Sequence, residues 1–234
     1  MNNVKKNIVY RFERKFVIDT LCRSGVELII KQNPFAFSPI YHERFINNIY
    51  FDTPSLNYFF DNHIGKSERK KVRIRWYGDF FGIIYHPVLE FKFKEGHVGW
   101  KESFKLKEFV LDKNFNNDDI KTIIKNSDVP NWVIEETIKL EPTLLNRYTR
   151  KYLQSFNKKY RITIDNDLVY RNISKRNNSF TNESADNNLI IIELKYNFEF
   201  DETASKVSNY FPFRLTKNSK YVNGIEIFNC HLAV

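Results

Sequence analysis

Basic side chains recur at every second position in one short segment of the chain. In "SERKKVRIRWYG" (67–78) these are Arg69, Lys71, Arg73 and Arg75. Because successive side chains of a β-strand point to opposite faces, all four would share one face of a sheet. At ~3.3 Å per residue, the row would extend over roughly 20 Å. Arginine binds two anionic oxygens at once and lysine supplies a point charge, so the row suits a chain of phosphates.

Other predicted strands repeat this separation of a charged face from an apolar face. They are "YRFERKF" (10–16), "VLEFKFK" (88–94), "KESFKLKEF" (101–109), "YRITIDN" (160–166) and "IIIELKY" (190–196). With 69–75 included, the charged faces hold thirteen Lys or Arg against three Glu and one Asp. One such strand is typical of an antiparallel sheet with one face in water. A solvated surface mixes charge signs, however, so the collective excess favours charged faces that converge inside a closed sheet. A basic lumen of this kind would need a highly charged anion and a metal cation.

Length and composition restrict the class of protein. The 234 residues are 42% hydrophobic, which is enough for one domain with a sizeable core or at most two small ones. We expect a single domain over 1–234 with its core at about 8–228. The net charge of +9 indicates a polyanionic partner, either nucleic acid, acidic lipid or a phosphate-rich small molecule. The polar segment 174–188 is predicted to be an exposed loop.

The sequence also predicts where the protein resides. The first fifteen residues are charged and lack the apolar segment of a signal peptide, and no apolar run is long enough to span a bilayer. Cys22 and Cys230 lie far apart without metal-ligand spacing, which favours a reduced protein. We therefore expect a cytoplasmic protein without a transmembrane segment.

The pattern of elements predicts an α+β fold with antiparallel pairing, because strands joined by short turns dominate the middle of the chain. Thr53 and Pro54 predict the start of one helix, as N-cap and first helical residue. The segment 145–155 is compatible with either a strand or a helix. Strands are predicted at 8–17, 45–51, 69–78, 85–94, 100–109, 145–155, 159–170 and 189–197. Helices are predicted at 19–31, 54–61, 117–127, 130–139, 201–210 and 219–228.

A series of motifs in a fixed order resembles one known family. They are "RFERK", "IYFDTP", "RIRWYG", "LEFKFKEG", "KESFKL", "RYTRKYL", "RITIDNDL", "IIELKY" and "KNSKYVNG". Together they resemble the polyphosphate polymerase (VTC) domain of the CYTH, or triphosphate tunnel metalloenzyme, superfamily. The similarity extends from about residue 8 to residue 225.

The resemblance implies a fold and an activity. The fold is an eight-stranded antiparallel barrel, flanked by helices, whose tunnel binds a nucleoside triphosphate and one or two divalent metals, Mn²⁺ or Mg²⁺. The activity is transfer of the γ-phosphate of ATP to a growing polyphosphate chain. Other tunnel relatives hydrolyse inorganic triphosphate or the triphosphate end of RNA.

The resemblance and the charged faces together assign candidate roles. Catalytic roles fall on Lys15, Arg73, Arg75, Lys92, Arg150 and Arg161. Phosphate binding falls on Arg11, Arg69, Lys71, Lys94, Lys105, Tyr148, Lys195, Lys217 and Lys220. The metal ligand implied by the resemblance is Glu193. Glu13 and Glu90 are further metal candidates, or they form salt bridges with neighbouring lysines.

The chain departs at two positions from the sequence pattern of the fungal members of the family that it resembles. Asn62 stands where that pattern has an arginine and Lys94 where it has a histidine, and Arg69 and Lys71 can supply the missing charge.

Three hypotheses remain open: an ATP-dependent polymerase, a triphosphatase that uses water as acceptor, and a non-catalytic binder of polyphosphate or nucleic acid. Nucleic-acid binding would place aromatic residues beside the charges, where bases could stack on them. The aromatic residues of these predicted strands fall on the opposite faces, which disfavours nucleic-acid binding.

Overall fold

The computed structural model describes residues 11–96, 98–173, 178, 180 and 182–229. The helices in this part of the chain are α1 (Arg23–Lys31), α2 (Asn57–His63), α3 (Asn117–Lys125), α4 (Asn131–Thr137), α5 (Asp201–Ser208) and α6 (Lys220–Phe228). The strands are β1 (Arg11–Ile18), β2 (Ser38–Asp52), β3 (Glu68–Tyr77), β4 (Gly82–Ile84), β5 (Val88–Glu95), β6 (Val98–Lys105), β7 (Phe109–Leu111), β8 (Glu141–Gln154), β9 (Tyr160–Asn172), β10 (Glu183–Asp186) and β11 (Ile190–Asn197).

One antiparallel sheet dominates the fold. Its strand order is β1-β11-β9-β8-β2-β3-β5-β6, with β10 paired to β9, while β4 and β7 form a separate pair. The predicted α+β class is therefore confirmed, and the main path has eight strands. The predicted closure into a barrel is not seen, since β1 and β6 end the path and no hydrogen-bonded pairing joins them within the described residues.

Apolar side chains pack in three clusters around this sheet. The first lies beneath helices α3 and α4, and the second lies beneath helices α1 and α5. The third lies between α2, α6 and the strands β2, β8 and β9, and contains Tyr50, Leu144, Tyr148 and Tyr170. Ile49 and Phe51, which alternate with Tyr50 along β2, belong to the first cluster. The second half of β2 is therefore buried on both faces, which explains the unbroken burial of residues 46–52.

The carboxylate of Asp52 joins α2 and α6 to the end of β2. It is fully buried, and it accepts from the backbone N–H groups of Tyr58 (2.8 Å) and Phe59 (2.7 Å) and from the Tyr221 hydroxyl (2.5 Å). Burial is the largest influence on this carboxyl and raises its pKa, although these hydrogen bonds oppose the shift. Gly224 of α6 lies so close to β8 that a Cβ atom there would approach Leu144 Cδ2 to 2.4 Å.

The predicted start of α2 was wrong. The helix begins at Asn57, and its N-cap, Leu56, has φ 56° and makes no side-chain capping bond. Thr53 Oγ accepts from the N–H of Asn57, while Asp52 accepts the two following N–H groups. Asp52 and Thr53 therefore share the capping that the sequence had assigned to Thr53 alone.

Three short strands were not predicted. Strand β10 lies inside the segment 174–188, which was expected to be a loop, and pairs with residues 168–171 of β9. Strands β4 and β7 pair with each other. The ambiguous segment 145–155 belongs to β8 except for its last residue. In the described part of the chain, no helix has the length and apolar character needed to cross a membrane. Cys22 is exposed and free, whereas Cys230 lies outside the described residues.

Candidate phosphate-binding site

The charged strand faces converge on one side of the sheet, and we call the space between them the basic cleft. Its main residues are Glu13, Lys15, Lys71, Arg73, Arg75, Glu90, Lys92, Arg150, Asp165, Glu193, Lys195 and Lys220. Lys15 and Lys71 lie on strands that are five places apart in the sheet order. Nevertheless, Lys15 Nζ donates to the Asn218 carbonyl (3.1 Å), and Lys71 Nζ donates to Oγ of the next residue, Ser219 (2.7 Å). The sheet must therefore curl until its two halves face each other.

The residues that lie opposite the basic row of β3 belong to β5. Arg69 lies opposite Lys94 and Lys71 opposite Lys92, so cations do face cations at two places. Arg73, however, lies opposite Glu90. The row is thus divided into an uncompensated part and a compensated part.

Glu90 compensates the centre of the row. Its carboxylate is buried and accepts from Arg73 Nε (2.7 Å), Arg73 Nη2 (2.6 Å) and Lys101 Nζ (2.6 Å). Burial alone would raise the pKa of Glu90, but Arg73 and Arg75 outweigh it and hold the pKa well below its usual value. Of the two roles that the sequence left open for Glu90, metal ligand or salt-bridge partner, the structure displays the salt bridges.

A second buried pair joins β8 to β9. Arg150 binds both carboxylate oxygens of Asp165, with Nε at 2.5 Å and Nη2 at 2.6 Å, and Lys220 at the start of α6 adds a third contact at 2.5 Å. Tyr148 lies beside this group, with its ring 4.6 Å from Lys220 Nζ and its hydroxyl 3.2 Å from Arg75 Nη2. Burial opposes ionisation of Tyr148, but Arg150 and Arg75 lower its pKa.

Glu193 lies where three cations meet. Its carboxylate is 2.5 Å from Lys195 Nζ, 3.3 Å from Arg150 Nη2 and 3.4 Å from Lys15 Nζ. Burial opposes its charge, yet Lys195 and Lys15 hold its pKa well below the usual value. Lys15 is bound on its other side by Glu13 at 2.8 Å, and the pKa of Lys15 is raised by Glu193 and Glu13 against the effect of burial.

Three lysines of the cleft have no such compensation. Burial, followed by the charges of Lys15 and Arg69, lowers the pKa of Lys71 to about 7. Arg73 first and burial second hold the pKa of Lys92 well below its usual value, and the pKa of Lys94 is also lowered, chiefly by burial. Within the described residues, none of the three makes an ion pair. The side chain of Lys92 also keeps solvent-accessible surface, so a ligand can reach it from solvent.

Some of the predicted residues lie at the margin of the cleft. Arg161, Lys105 and Lys217 are exposed and form no side-chain hydrogen bond or ion pair with other described residues. Arg69 turns back to donate to the Lys66 carbonyl (2.6 Å). Arg11 lies on β1 opposite Asn197, and its side chain is outside the described part.

Sequence reasoning missed several residues that orient the cations. Asp165 was the one aspartate counted on the charged strand faces, where it shares the face of Arg161, but it was given no role. Asn48 accepts from Arg75 Nε (3.1 Å) and donates to Asn146 Oδ1 (2.9 Å), thereby fixing the Arg75 guanidinium. Ser219 caps α6 and also binds Lys71. No sequence signal distinguishes these two positions, because small polar residues also occur in solvated turns and strands.

The carboxylates fit a divalent cation in one mode only. Among the described residues, no three His, Cys, Asp or Glu side chains come together as a cage. Mg²⁺ is usually held by one or two carboxylates together with substrate phosphates and water. Glu193 and Glu13 contact the same two lysines and so offer a pair of carboxylates for this mode, whereas Glu90 is a single carboxylate whose described ionic contacts are all with cations.

Comparison with known proteins decides the family. The family model for the VTC domain matches residues 10–229. The chain belongs to the VTC domain family. A search of curated proteins found no match.

Two solved structures show the same fold as this VTC-domain chain. One is a putative adenylate cyclase from Vibrio parahaemolyticus, with a TM-score of 0.52 and 11% identity over 93% of this chain and 99% of the other. The second is the PH1819 protein from Pyrococcus horikoshii OT3, with a TM-score of 0.51, 11% identity and the same coverage. At this identity the likeness concerns the fold alone.

Proposed function

We propose that this VTC-domain protein is a polyphosphate polymerase that transfers the γ-phosphate of ATP to a polyphosphate chain lying in the basic cleft. The observation that carries the proposal is the convergence of the basic rows of β1, β3, β5 and β11 on one side of the curled sheet. The cleft would take the place of the tunnel that the family resemblance implies. Side chains, rather than backbone pairing, would close its wall between β1 and β5.

The arrangement suits phosphoryl transfer, which asks a protein chiefly to align phosphates and to neutralise the charge on their oxygens. Arg73 and Arg150 are held rigid by Glu90 and Asp165, so their remaining N–H groups are fixed in direction. Arg75, held by Asn48, and Lys92 face the same space. These four cations would clamp the triphosphate and stabilise charge that builds up during transfer.

A divalent cation bound with the triphosphate would supply further neutralisation and would be held by Glu193 with Glu13. Lys15 and Lys195 contact both carboxylates and would be released toward the phosphates when the cation binds. This exchange keeps the charge of the cleft balanced.

The acceptor argues for polymerase over triphosphatase. The terminal oxygen of polyphosphate is already anionic and needs no base, whereas water must lose a proton. Ion pairs hold the pKa values of Glu193 and Glu90 below normal, so these carboxylates are weak bases. Lys71, whose lowered pKa would make it a candidate base, lies among cations and would become protonated once phosphate entered the cleft. The cleft therefore offers better support for transfer to phosphate than for attack by water.

Incubation with ATP and Mn²⁺ or Mg²⁺, followed by a gel stained for polyphosphate, tests the proposal. We expect a ladder of chains from the wild type and from the exposed control Lys105→Ala, and none from Glu193→Gln or Arg75→Ala. The circular dichroism spectrum of each variant, compared with that of the wild type, shows whether it is folded. Free phosphate without a ladder would indicate a triphosphatase, and polyphosphate binding without either product would indicate a binder.

A further inference from the structure

Aromatic side chains gather where the basic row of β3 ends. Two residues beyond Arg75 lies Tyr77, about 7 Å further along the strand and on the same face. The Arg44 guanidinium lies 5.6 Å from the Tyr77 ring and 5.0 Å from the Tyr41 ring. Tyr41 in turn packs edge-on against Tyr152 at 5.6 Å. We call Tyr41, Arg44, Tyr77 and Tyr152 the aromatic rim.

The rim is continuous with the basic cleft. Tyr152 shares its strand face with Tyr148 and Arg150, and the Arg150 guanidinium lies 5.9 Å from the Tyr152 ring. Burial raises the pKa of Tyr152 to about 12, while Arg150 and Arg75 act against that shift and Tyr77 adds to it. The four rim residues therefore border the same space as the central arginines.

A backbone irregularity brings the rim together. Tyr41 pairs with Tyr152 and Arg44 with Arg150, so three residue steps on β2 span two steps on β8. Without the extra residue, Tyr41 and Arg44 would point to opposite faces of the sheet. Bulges that redirect a side chain in this way are concentrated beside active sites. The bulge here places an aromatic ring and a cation on one face at the mouth of the cleft.

The rim is open to a ligand. Tyr41 is 51% exposed and Tyr77 is 49% exposed, although each ring lies against Arg44. Arg44 itself is exposed, and it forms no ion pair with any described carboxylate; the adjacent Glu43 is bound to Arg23 instead. Flat rings and an unpaired guanidinium offer stacking surfaces, and they do so at the end of a row of phosphate-binding cations.

We propose that the aromatic rim binds the nucleobase of the nucleoside triphosphate by stacking, an inference that rests on the proposed function. The triphosphate would lie along Arg75 and Arg73, and the ribose would span the step from Arg75 to Tyr77. Stacking accepts any base, because every base has a π-face. The rim therefore distinguishes nucleoside triphosphates from inorganic triphosphate and discriminates little among the bases themselves.

Calorimetric titration of the full chain with ATP and with tripolyphosphate, in metal-free buffer, tests the rim. Base stacking is worth ~1–3 kcal/mol, so we expect Tyr77→Ala to weaken ATP binding about tenfold and to leave tripolyphosphate binding within about twofold. Tyr77→Phe keeps the ring and should bind ATP like the wild type. Tyr210→Ala removes a similarly exposed ring after α5 and should change neither affinity.

The outcomes separate the rim from the activity. Equal losses for ATP and tripolyphosphate in Tyr77→Ala, or no loss for either, would overturn base stacking while leaving the polymerase proposal intact. A wild type that binds neither ligand would overturn both. GTP bound as tightly as ATP would support recognition by stacking, and a preference above about tenfold for one base would contradict it.

Discussion

Arg150 and Lys92 illustrate two kinds of cation in the same cleft. Arg150 is buried and bound through two nitrogens to Asp165, and its pKa is raised well above normal by that carboxylate against the effect of burial. Lys92 makes no ion pair with a described carboxylate, and the neighbouring Arg73 lowers its pKa. Although both residues belong to one basic surface, the folded protein stabilises the charge of the first and destabilises that of the second.

The difference separates cations that carboxylates already neutralise in the empty protein from cations that have no ionic partner among the described residues. Arg73 with Glu90, and Arg150 with Asp165, are neutral pairs already present in the empty protein. Burial and neighbouring cations disfavour the protonated forms of Lys71, Lys92 and Lys94 until an anion arrives. The arginines would fix the geometry of the phosphates, whereas the lysines would supply most of the electrostatic gain on binding.

Arg73 belongs to the basic row of β3, but it is bound to Glu90, so its removal is not expected to relieve charge repulsion in the empty protein. Removing one partner of a buried pair leaves the other charge uncompensated and destabilises the fold. The stabilising effect should instead appear at the unpaired lysines.

The largest effect is expected at a paired arginine. Arg150→Met should lower the free energy of unfolding by roughly 3 kcal/mol, the lower end for a broken buried ion pair, because Asp165 is fully buried and would keep only Lys220 as an ionic partner. Urea denaturation measures this change. Arg161→Met is the matched control, since this arginine is exposed on the adjacent strand and should shift stability by less than about 0.5 kcal/mol. Equal stability of the two variants would contradict the distinction.

A smaller effect of opposite sign is expected at an unpaired lysine. Lys92→Met removes a cation that Arg73 and Arg75 repel, so the melting temperature in anion-free, low-salt buffer should rise. Tripolyphosphate affinity should fall about tenfold or more, as for loss of a charged hydrogen bond. Lys105→Met, on the exposed edge strand, should change neither quantity. A Lys92→Met protein that melts lower and binds tripolyphosphate normally would show that this lysine is structural.

Much of this arrangement could be predicted from the alternation of side chains. The row on β3 and its cationic neighbours Lys92 and Lys94 follow from period-two patterning, because each strand has one buried apolar face. Pairing partners do not follow from it. That Arg73 meets Glu90, while Lys71 meets Lys92, depends on the register between β3 and β5, which the individual strand patterns leave open.

The least predictable contacts are those made by α6. Its position against β8 depends on Gly224, whose missing side chain allows the helix to approach Leu144. Ser219 and Lys220 reach Lys71 and Asp165 as a consequence. Such contacts arise from tertiary packing between residues that are up to 148 positions apart, and no local pattern carries them.

The smallest effect tests the charge state of Lys71. Its pKa in the folded protein is lowered to about 7, against 10.5 for an ordinary lysine, so this group loses its proton on folding between those pH values. Stability contributed by this group therefore rises with pH across that window, because the unfolded chain binds more protons. An anion reverses the shift by favouring the charged form. At pH 8 the wild type should take up about one proton more than Lys71→Met on binding tripolyphosphate, and at pH 6 the difference should be smaller, because Lys71 is then already protonated. Titration calorimetry in two buffers of different ionisation enthalpy measures the uptake, and subtracting the variant removes the ligand's own titration. Equal uptake by both proteins at pH 8 would mean that Lys71 keeps its charge in the empty cleft, and the division into compensated and uncompensated cations would fail at this position.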